Sequence, residues 1–309
     1  MAARSTDLPG KTLGTPNLHS HSYDSGVLEK LLFRVAKRWV AGNAQNDAIA
    51  SARQSNSRGM NAILNYLGED TVSEQLVEQT VQEYLSLISA ISSESLLGCV
   101  SAKPTQLGLA IGYDLCLQNA ERLAQKASSL GQFLWLDIES ANYVENTIKM
   151  YSALAGKNQG RVGLAVQAYL RRSQGDLEFL LERNSVVRLV KGAYQEPASM
   201  AFSSRSDVDL AYSRLMGMLF ENGGRFAIAT HDSKLIEEAI QLAGRHETSK
   251  DSFEFQMLMG IRDDLKPGLV ERGFRVSEYI PYGNQWLPYS VRRLRERKRN
   301  VLLLARSLV

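Results

Sequence analysis

The chain has 309 residues, 44% of them hydrophobic and 22% charged, with a formal net charge of +3. That composition belongs to a globular protein with a substantial core, and so small a net charge gives no reason to expect a nucleic-acid partner. Two cysteines, Cys99 and Cys116, are too few for a disulfide framework or a zinc site of the usual spacing, and read as small core residues of a reducing compartment.

No apolar run approaches the roughly 20 residues needed to span a bilayer, and the N-terminus lacks the apolar core of a secretory signal. A cytoplasmic location is expected. Residues Met1 to Ser25, rich in Ser, Gly, Pro, Thr and His, read as a disordered leader, and residues 26–309 as one catalytic domain. His19 and His21 have no carboxylate or cysteine cluster beside them and read as part of a solvated tail. From Val27 to about Ser55 the pattern predicts one or two helices (Leu28, Leu31, Leu32, Val35, Trp39) packed on the outside or bottom of the main domain.

Beyond Ser55 the chain alternates repeatedly between short apolar runs and longer amphipathic stretches. Eight runs read as strands: Asn61–Leu67, Leu96–Ala102, Phe133–Ile138, Val162–Tyr169, Val186–Val190, Phe226–Thr230, Phe253–Leu258 and Arg275–Ile280. Several are apolar on both sides of the pleat, as parallel strands buried on both faces are. Thr71 followed by Glu74 predicts a capping box opening a helix with Leu76, Val77, Val81, Tyr84, Leu85 and Ile88 on one face. After Asn142 a second pattern groups Val144, Ile148, Tyr151 and Leu154, and Asp232–Ser233 can cap a third with Leu235, Ile236, Ala239, Ile240 and Leu242. Strand followed by helix, eight times, predicts an α/β protein of the (β/α)8 barrel type with extra N-terminal helices. An open doubly wound sheet shows the same alternation with fewer strands, so the count of eight decides.

In such a barrel the chemistry sits at the C-terminal strand ends. Those ends carry Lys103, then Asp137 and Glu139, Gln167, Arg188 with Lys191-Gly192-Ala193-Tyr194, Thr230-His231-Asp232, Glu254 with Gln256, and Tyr279. A single lysine or aspartate there is as often a surface pair or loop cap as a functional group. Arg188 differs, because Val186, Val187, Leu189 and Val190 surround it, and a charge inside so apolar a strand is costly unless paired or bound to a ligand. A last helix starting near Gln285 presents Tyr289, Arg292 and Arg293, whose adjacent guanidiniums could grip one carboxylate. The later Arg295, Arg297, Lys298 and Arg299 read as a solvated basic face.

No G-x-G-x-x-G follows the first strand, and no P-loop, G-x-S-x-G or H-E-x-x-H occurs. With only His231 at a strand end, no catalytic metal is expected. A cofactor would have to be held by barrel loops and their cations.

Arg188-Leu-Val-Lys191-Gly192-Ala193-Tyr194, Ala229-Thr230-His231-Asp232, Phe253-Glu254-Phe255-Gln256-Met257-Leu258, Tyr279-Ile-Pro-Tyr-Gly283 and Tyr289-Ser-Val-Arg292-Arg293 together resemble the proline dehydrogenase family, and its short, single-function bacterial type fits best. The resemblance runs in order from about Lys103 to Arg293. It implies FAD across the C-terminal face of the barrel, held by Gln167, Arg188, Lys191, Gly192, Ala193, Thr230 and His231. It implies that Lys103, Arg292 and Arg293 bind the carboxylate of L-proline, that Tyr194, Tyr279 and Tyr289 wall the ring, and that Asp137, Arg188 and Tyr279 stand at the catalytic positions. It implies hydride transfer from the ring carbon beside nitrogen to flavin N5, with 1-pyrroline-5-carboxylate as product and a quinone receiving the electrons.

Three rivals stand beside this expectation. A hydroxyproline dehydrogenase is disfavoured because Tyr279 lies where an added ring hydroxyl would clash. A flavin barrel of the methylenetetrahydrofolate reductase type would need a pterin site and a nicotinamide donor. A non-enzymatic module would use the basic last helix to reach anionic membranes or nucleic acid; in an enzyme the same helix would bring the protein to the inner membrane surface as a peripheral contact.

Overall fold

Runs that are apolar on both faces cannot be left with a wet side, and a closed parallel sheet hides both: helices cover its outside and its own side chains fill its inside. The computed structural model describes residues 32–158 and 160–295. Strands β1 (Asn61–Tyr66), β2 (Gly98–Ala102), β3 (Leu134–Leu136), β4 (Val162–Gln167), β5 (Val186–Val190), β6 (Phe226–Ala229), β7 (Phe253–Leu258) and β8 (Arg275–Tyr282) form a closed barrel in sequence order. Every neighbouring pair is parallel, and β8 returns to β1 with Tyr279 opposite Ile63. The expected strands match these with ends shifted by no more than two residues.

Helix α1 (Gln45–Ser57) precedes the barrel, and α2 (Glu74–Ser93), α3 (Tyr113–Ser129), α4 (Ala141–Ala155), α5 (Ser173–Leu181), α6 (Arg205–Asn222), α7 (Ser233–Arg245), α8 (Lys266–Glu271) and α9 (Trp286–Arg295) follow the strands in turn. The helices turn their apolar stripes onto the strands, and buried tyrosines fasten the two layers. Tyr84 of α2 donates to the Ser101 carbonyl at 2.9 Å, Tyr212 of α6 donates to the Leu189 carbonyl at 3.1 Å, and Tyr151 of α4 accepts the Val186 amide at 3.0 Å. A hydroxyl so placed satisfies a strand group that the buried layer would otherwise leave costly.

Two expectations about α2 are corrected. Its N-cap is Ser73, whose hydroxyl accepts from the Leu76 amide, and the expected Thr71 instead gives its own amide to the Thr105 carbonyl at 3.3 Å. The loop after β1 is thus spent on a neighbouring loop before the helix can begin. Leu76, expected on the apolar face, is 54% exposed: it lies in the first turn of α2, at the margin of the buried stripe of Val77, Val81, Tyr84 and Ile88.

The interior holds its own small apolar cluster of Ile63, Phe133, Trp135, Val186 and Ala227, flanked by Cys99 and Tyr279. A separate cluster of Ala36, Trp39, Val40, Leu67, Trp286 and Tyr289 seats α9 on the N-terminal segment, and the Trp39 indole donates to the Ser290 hydroxyl at 3.0 Å. Residues 32–36 are helical, as expected, while the expectations for residues 1–25, Val27 to Leu31, Arg297, Lys298 and Arg299 lie outside the described residues. Among the described residues no helix is long and apolar enough to cross a membrane, and no group of His, Cys, Asp and Glu could hold a metal ion.

Candidate active site

Period-two alternation decides which strand residues face the barrel axis. With Trp135 and Val186 pointing inward, so must Asp137 just past β3 and Arg188 of β5. Across the barrel Ser101 of β2 and Tyr279 of β8 share the same inward phase. These four meet. Arg188 donates through Nη1 to Asp137 Oδ1 at 2.6 Å and to the Ser101 hydroxyl at 3.1 Å. Ser101 donates to the same Asp137 oxygen at 2.7 Å, and Tyr279 donates to Asp137 Oδ2 at 2.6 Å. Lys103, at the end of β2, places its ammonium 3.6 Å from that oxygen. Below, the Trp135 ring lies 4.5 Å from the Arg188 guanidinium carbon.

Burial alone would raise the Asp137 carboxyl, but the charges of Lys103 and Arg188 and the hydroxyls of Tyr279 and Ser101 hold it below the usual carboxylate value. The Tyr279 phenol moves the other way, pushed well above its ordinary value by burial and then by the Asp137 charge, so it remains a donor. Arg188 is only 3% exposed, and its Nε and Nη2 have no hydrogen-bond partner among the described residues. Buried guanidinium donors left without acceptors are costly.

A second group closes one side of the mouth. Arg292 of α9 donates to both oxygens of Glu69 at 2.9 and 3.2 Å, and Tyr194 donates to Glu69 at 3.2 Å while its ring lies 5.6 Å from the Arg292 guanidinium carbon. Burial is opposed by Arg292, which holds Glu69 low and ionised. Arg293 faces the ring of Tyr289 at 5.4 Å, and Tyr289 is buried in the cluster that seats α9.

The third group lies around the ends of β4 to β7. Lys191 pairs with Asp209 and with Asp232, the latter at 3.1 Å. Gly192 has φ +110°, and a Cβ there would sit 2.1 Å from the Tyr169 ring, so only glycine lets this loop pass. Exposed Ala193 follows. The buried Thr230 hydroxyl accepts from the Asp232 amide at 3.2 Å, and His231 Nε2 accepts from the Leu258 amide at 2.8 Å. Gln167 donates to the Ile138 carbonyl at 3.3 Å, and its Oε1 has no partner.

Glu254, expected among the strand-end residues, is second in β7 and lines a cavity at the opposite, N-terminal mouth with Gly98 and Arg275. Its carboxylate accepts from Gln256 and Ser277, so it belongs to the barrel floor. Three contributors were missed from the sequence: Ser101, Trp135 and Glu69. The first two share the inward phase of Lys103 and Asp137, a signal that was there to read. Glu69 sits in a loop with no period to mark it.

Unpaired donors on Arg188 and an unpaired acceptor on Gln167 suit a flat heterocycle that both accepts and donates hydrogen bonds, and the rim arginines suit an anionic group. Fold and site together define a (β/α)8-barrel enzyme. A family model described as "Proline dehydrogenase" matches residues 48–306. The chain is 36% identical over 286 residues to proline dehydrogenase 2 of Bacillus subtilis, covering 90% of this chain and 93% of that one. It is 35% identical over 282 residues to proline dehydrogenase of Deinococcus radiodurans, covering 90% and 91%. The solved structure of proline utilization A from Bdellovibrio bacteriovorus inactivated by N-propargylglycine superposes with a TM-score of 0.82 at 24% identity, over 88% of this chain and 33% of that one, and so shares the fold. This chain belongs to the proline dehydrogenase family of oxidoreductases.

Proposed function

We propose that this chain oxidises L-proline to 1-pyrroline-5-carboxylate, using FAD as bound oxidant and passing the electrons onward to a quinone. The observation that carries the reading is Arg188, a buried cation with two unspent donors at the centre of the barrel mouth. Bound FAD supplies the hydride acceptor. Gln167, Arg188, Lys191, Gly192, Ala193, Thr230 and His231 would hold it. Its pyrophosphate would compete with Asp209 and Asp232 for Lys191.

The remaining work falls to the chain's own residues. Arg292, Arg293 and Lys103 would fix the proline carboxylate by charge-assisted hydrogen bonds, and Tyr194, Tyr279 and Tyr289 would limit the space around the ring. Arg292 directs Nη1 at Glu69, leaving other donors of its fork for a carboxylate. Asp137 is ionised, but it already accepts from Ser101, Arg188 and Tyr279. It therefore acts by holding Arg188 and Tyr279 in place rather than by taking the amine proton. Held by that bond, the Tyr279 phenol would exclude a hydroxylated ring. The basic run Arg295, Arg297, Lys298 and Arg299 would bring the enzyme to an anionic membrane surface, which co-sedimentation with anionic vesicles at low and moderate salt checks.

An absorption spectrum of the purified protein, before and after L-proline without oxygen, tests the reading. Flavin bands that bleach with proline are expected. A protein that takes up no FAD, or flavin bands that proline leaves untouched, would overturn it.

A further inference from the structure

Three loops of the barrel mouth meet on one buried threonine. Thr105 is the second residue of the 3-10 turn Pro104–Leu107, whose N-cap is Lys103. It is fully buried, and it gives both its amide and its hydroxyl to the carboxylate of Glu139, at 2.9 and 2.7 Å. Glu139, itself 2% exposed, lies two residues beyond Asp137 in the loop after β3. On its other side the Thr105 hydroxyl accepts the Asp70 amide at 2.8 Å, and the Thr105 carbonyl accepts the Thr71 amide. The adjoining Gln106 donates to the Tyr66 carbonyl at 2.8 Å and packs so closely on Gly68 that a Cβ there would lie 2.8 Å from its amide nitrogen.

The loop so fastened carries Glu69, and it is under strain: Asp70 has φ +52°, a left-handed conformation that a non-glycine residue holds only when its surroundings impose it. The hydrogen bond from the Asp70 amide to the Thr105 hydroxyl helps hold it there. On the far side of Thr105 stand the residues that set Lys103 and Asp137. Neither Thr105 nor Glu139 has a role in binding or chemistry under the proposed function.

We propose that Thr105 and Glu139 form a buried positioning latch that fixes Glu69 and Lys103 relative to one another, and so sets the spacing of the charges around the substrate carboxylate. The proposal rests on the proline reading for its substrate. The latch itself is a matter of geometry: one hydroxyl, used once as donor and once as acceptor, ties the loop after β1 to the loop after β3 through the turn after β2. A hydroxyl is the smallest group able to do both, and valine offers the same shape with neither. Burial pushes the Glu139 carboxyl up to about 7 against the opposing pull of the Lys103 charge and of the two Thr105 hydrogen bonds, so the latch carboxylate is itself coupled to Lys103.

The test compares the FAD-loaded wild type with Thr105→Val, Thr105→Ser and Glu139→Gln. Two readouts are used: hydrogen exchange of residues 66–73, which needs no turnover, and the split between KM for proline and kcat with a dye oxidant. Thr105→Val should speed exchange across 66–73 and raise KM about five- to tenfold, with kcat within about threefold. Thr105→Ser should restore both, and Glu139→Gln should reproduce the valine effect should that variant not fold. Wild-type exchange in the valine variant, or a serine variant as impaired as the valine one, overturns the latch. Faster exchange with unchanged KM overturns its hold on the substrate. A wild-type flavin that proline does not reduce speaks against the proposed function alone, since the exchange readout then still decides the latch.

Discussion

Replacing Asp137 with alanine removes the one carboxylate among the described residues that Arg188 touches, and the cost comes from where Arg188 lies. Its guanidinium is almost wholly buried between Trp135 and Tyr279, and its ion pair with Asp137 is 2.6 Å long. The same change strips the acceptor from Ser101 and Tyr279 and leaves the Lys103 ammonium without its neighbour. Removing one partner of a buried pair typically costs about 3–5 kcal/mol, because an uncompensated charge stays behind, whereas exchanging both partners for apolar groups is nearly neutral. Asp137→Ala should therefore lower the unfolding free energy of the flavin-free protein by about 3–5 kcal/mol, which urea titration would read directly. Asp137→Ala combined with Arg188→Met should recover more than half of that loss. If the single variant loses under about 1 kcal/mol, or the double variant is no better than the single one, then Arg188 is not a desolvated cation dependent on Asp137, and its place at the centre of the site falls with it.

Further outcomes are expected on the same footing. Arg292→Met should raise the proline requirement by about tenfold or more while leaving flavin content unchanged, since it removes a charge-assisted fork from the rim; release of flavin would contradict its place on the carboxylate. Tyr279→Phe deletes a phenol that donates to Asp137 and should admit hydroxyproline better, raising its kcat/KM relative to that of proline; an unchanged ratio would refute the clash argument. Glu139, raised from 4.5 to about 7 by burial, keeps its proton in the folded chain at pH values where the unfolded chain has lost it. Its contribution therefore makes stability fall as pH rises from about 4.5 to about 7, by about 3 kcal/mol in all. Glu139→Gln should flatten the stability–pH curve across that window, and an equally steep curve in the variant would show that this group does not titrate there. Asp137, held low, lies outside this window: its share is present at neutral pH and is lost only as acid protonates it.

The barrel was legible because eight short apolar runs alternate with amphipathic stretches and several of them are apolar on both faces, a pattern with few other resting places, and the phase of each strand told which residues look inward. Depth along a strand left no such mark. Glu254 and Arg188 are both inward charges on neighbouring parts of the barrel, yet one lines the floor and the other the mouth, and only the stagger of a closed sheet separates them. The start of α2 was misread at Thr71 because a capping residue and a loop residue bonding to another loop look alike in sequence. Glu69 and Thr105 escaped for a related reason. Their contacts join loops more than 30 residues apart, or reach from the first loop to the last helix, and no local period records that. The apolar neighbours of Arg188 did announce that it would need a partner; they did not say that the partner would be Asp137.

The placement of the chain's three tryptophans gives the molecule a built-in optical readout. Trp135 lies under Arg188 as the floor of the site, while Trp39 and Trp286 belong to the seat of α9, one of them bonded to Ser290. Tryptophan emission therefore reports two places and no others. The tryptophan emission of a Trp39→Phe/Trp286→Phe protein would come only from beneath the buried guanidinium and would register any change in the charge above it. Trp135→Phe would leave the emission of the clasp between the N-terminal segment and the helix bearing Arg292, so that loosening of that helix could be followed apart from any signal beneath Arg188.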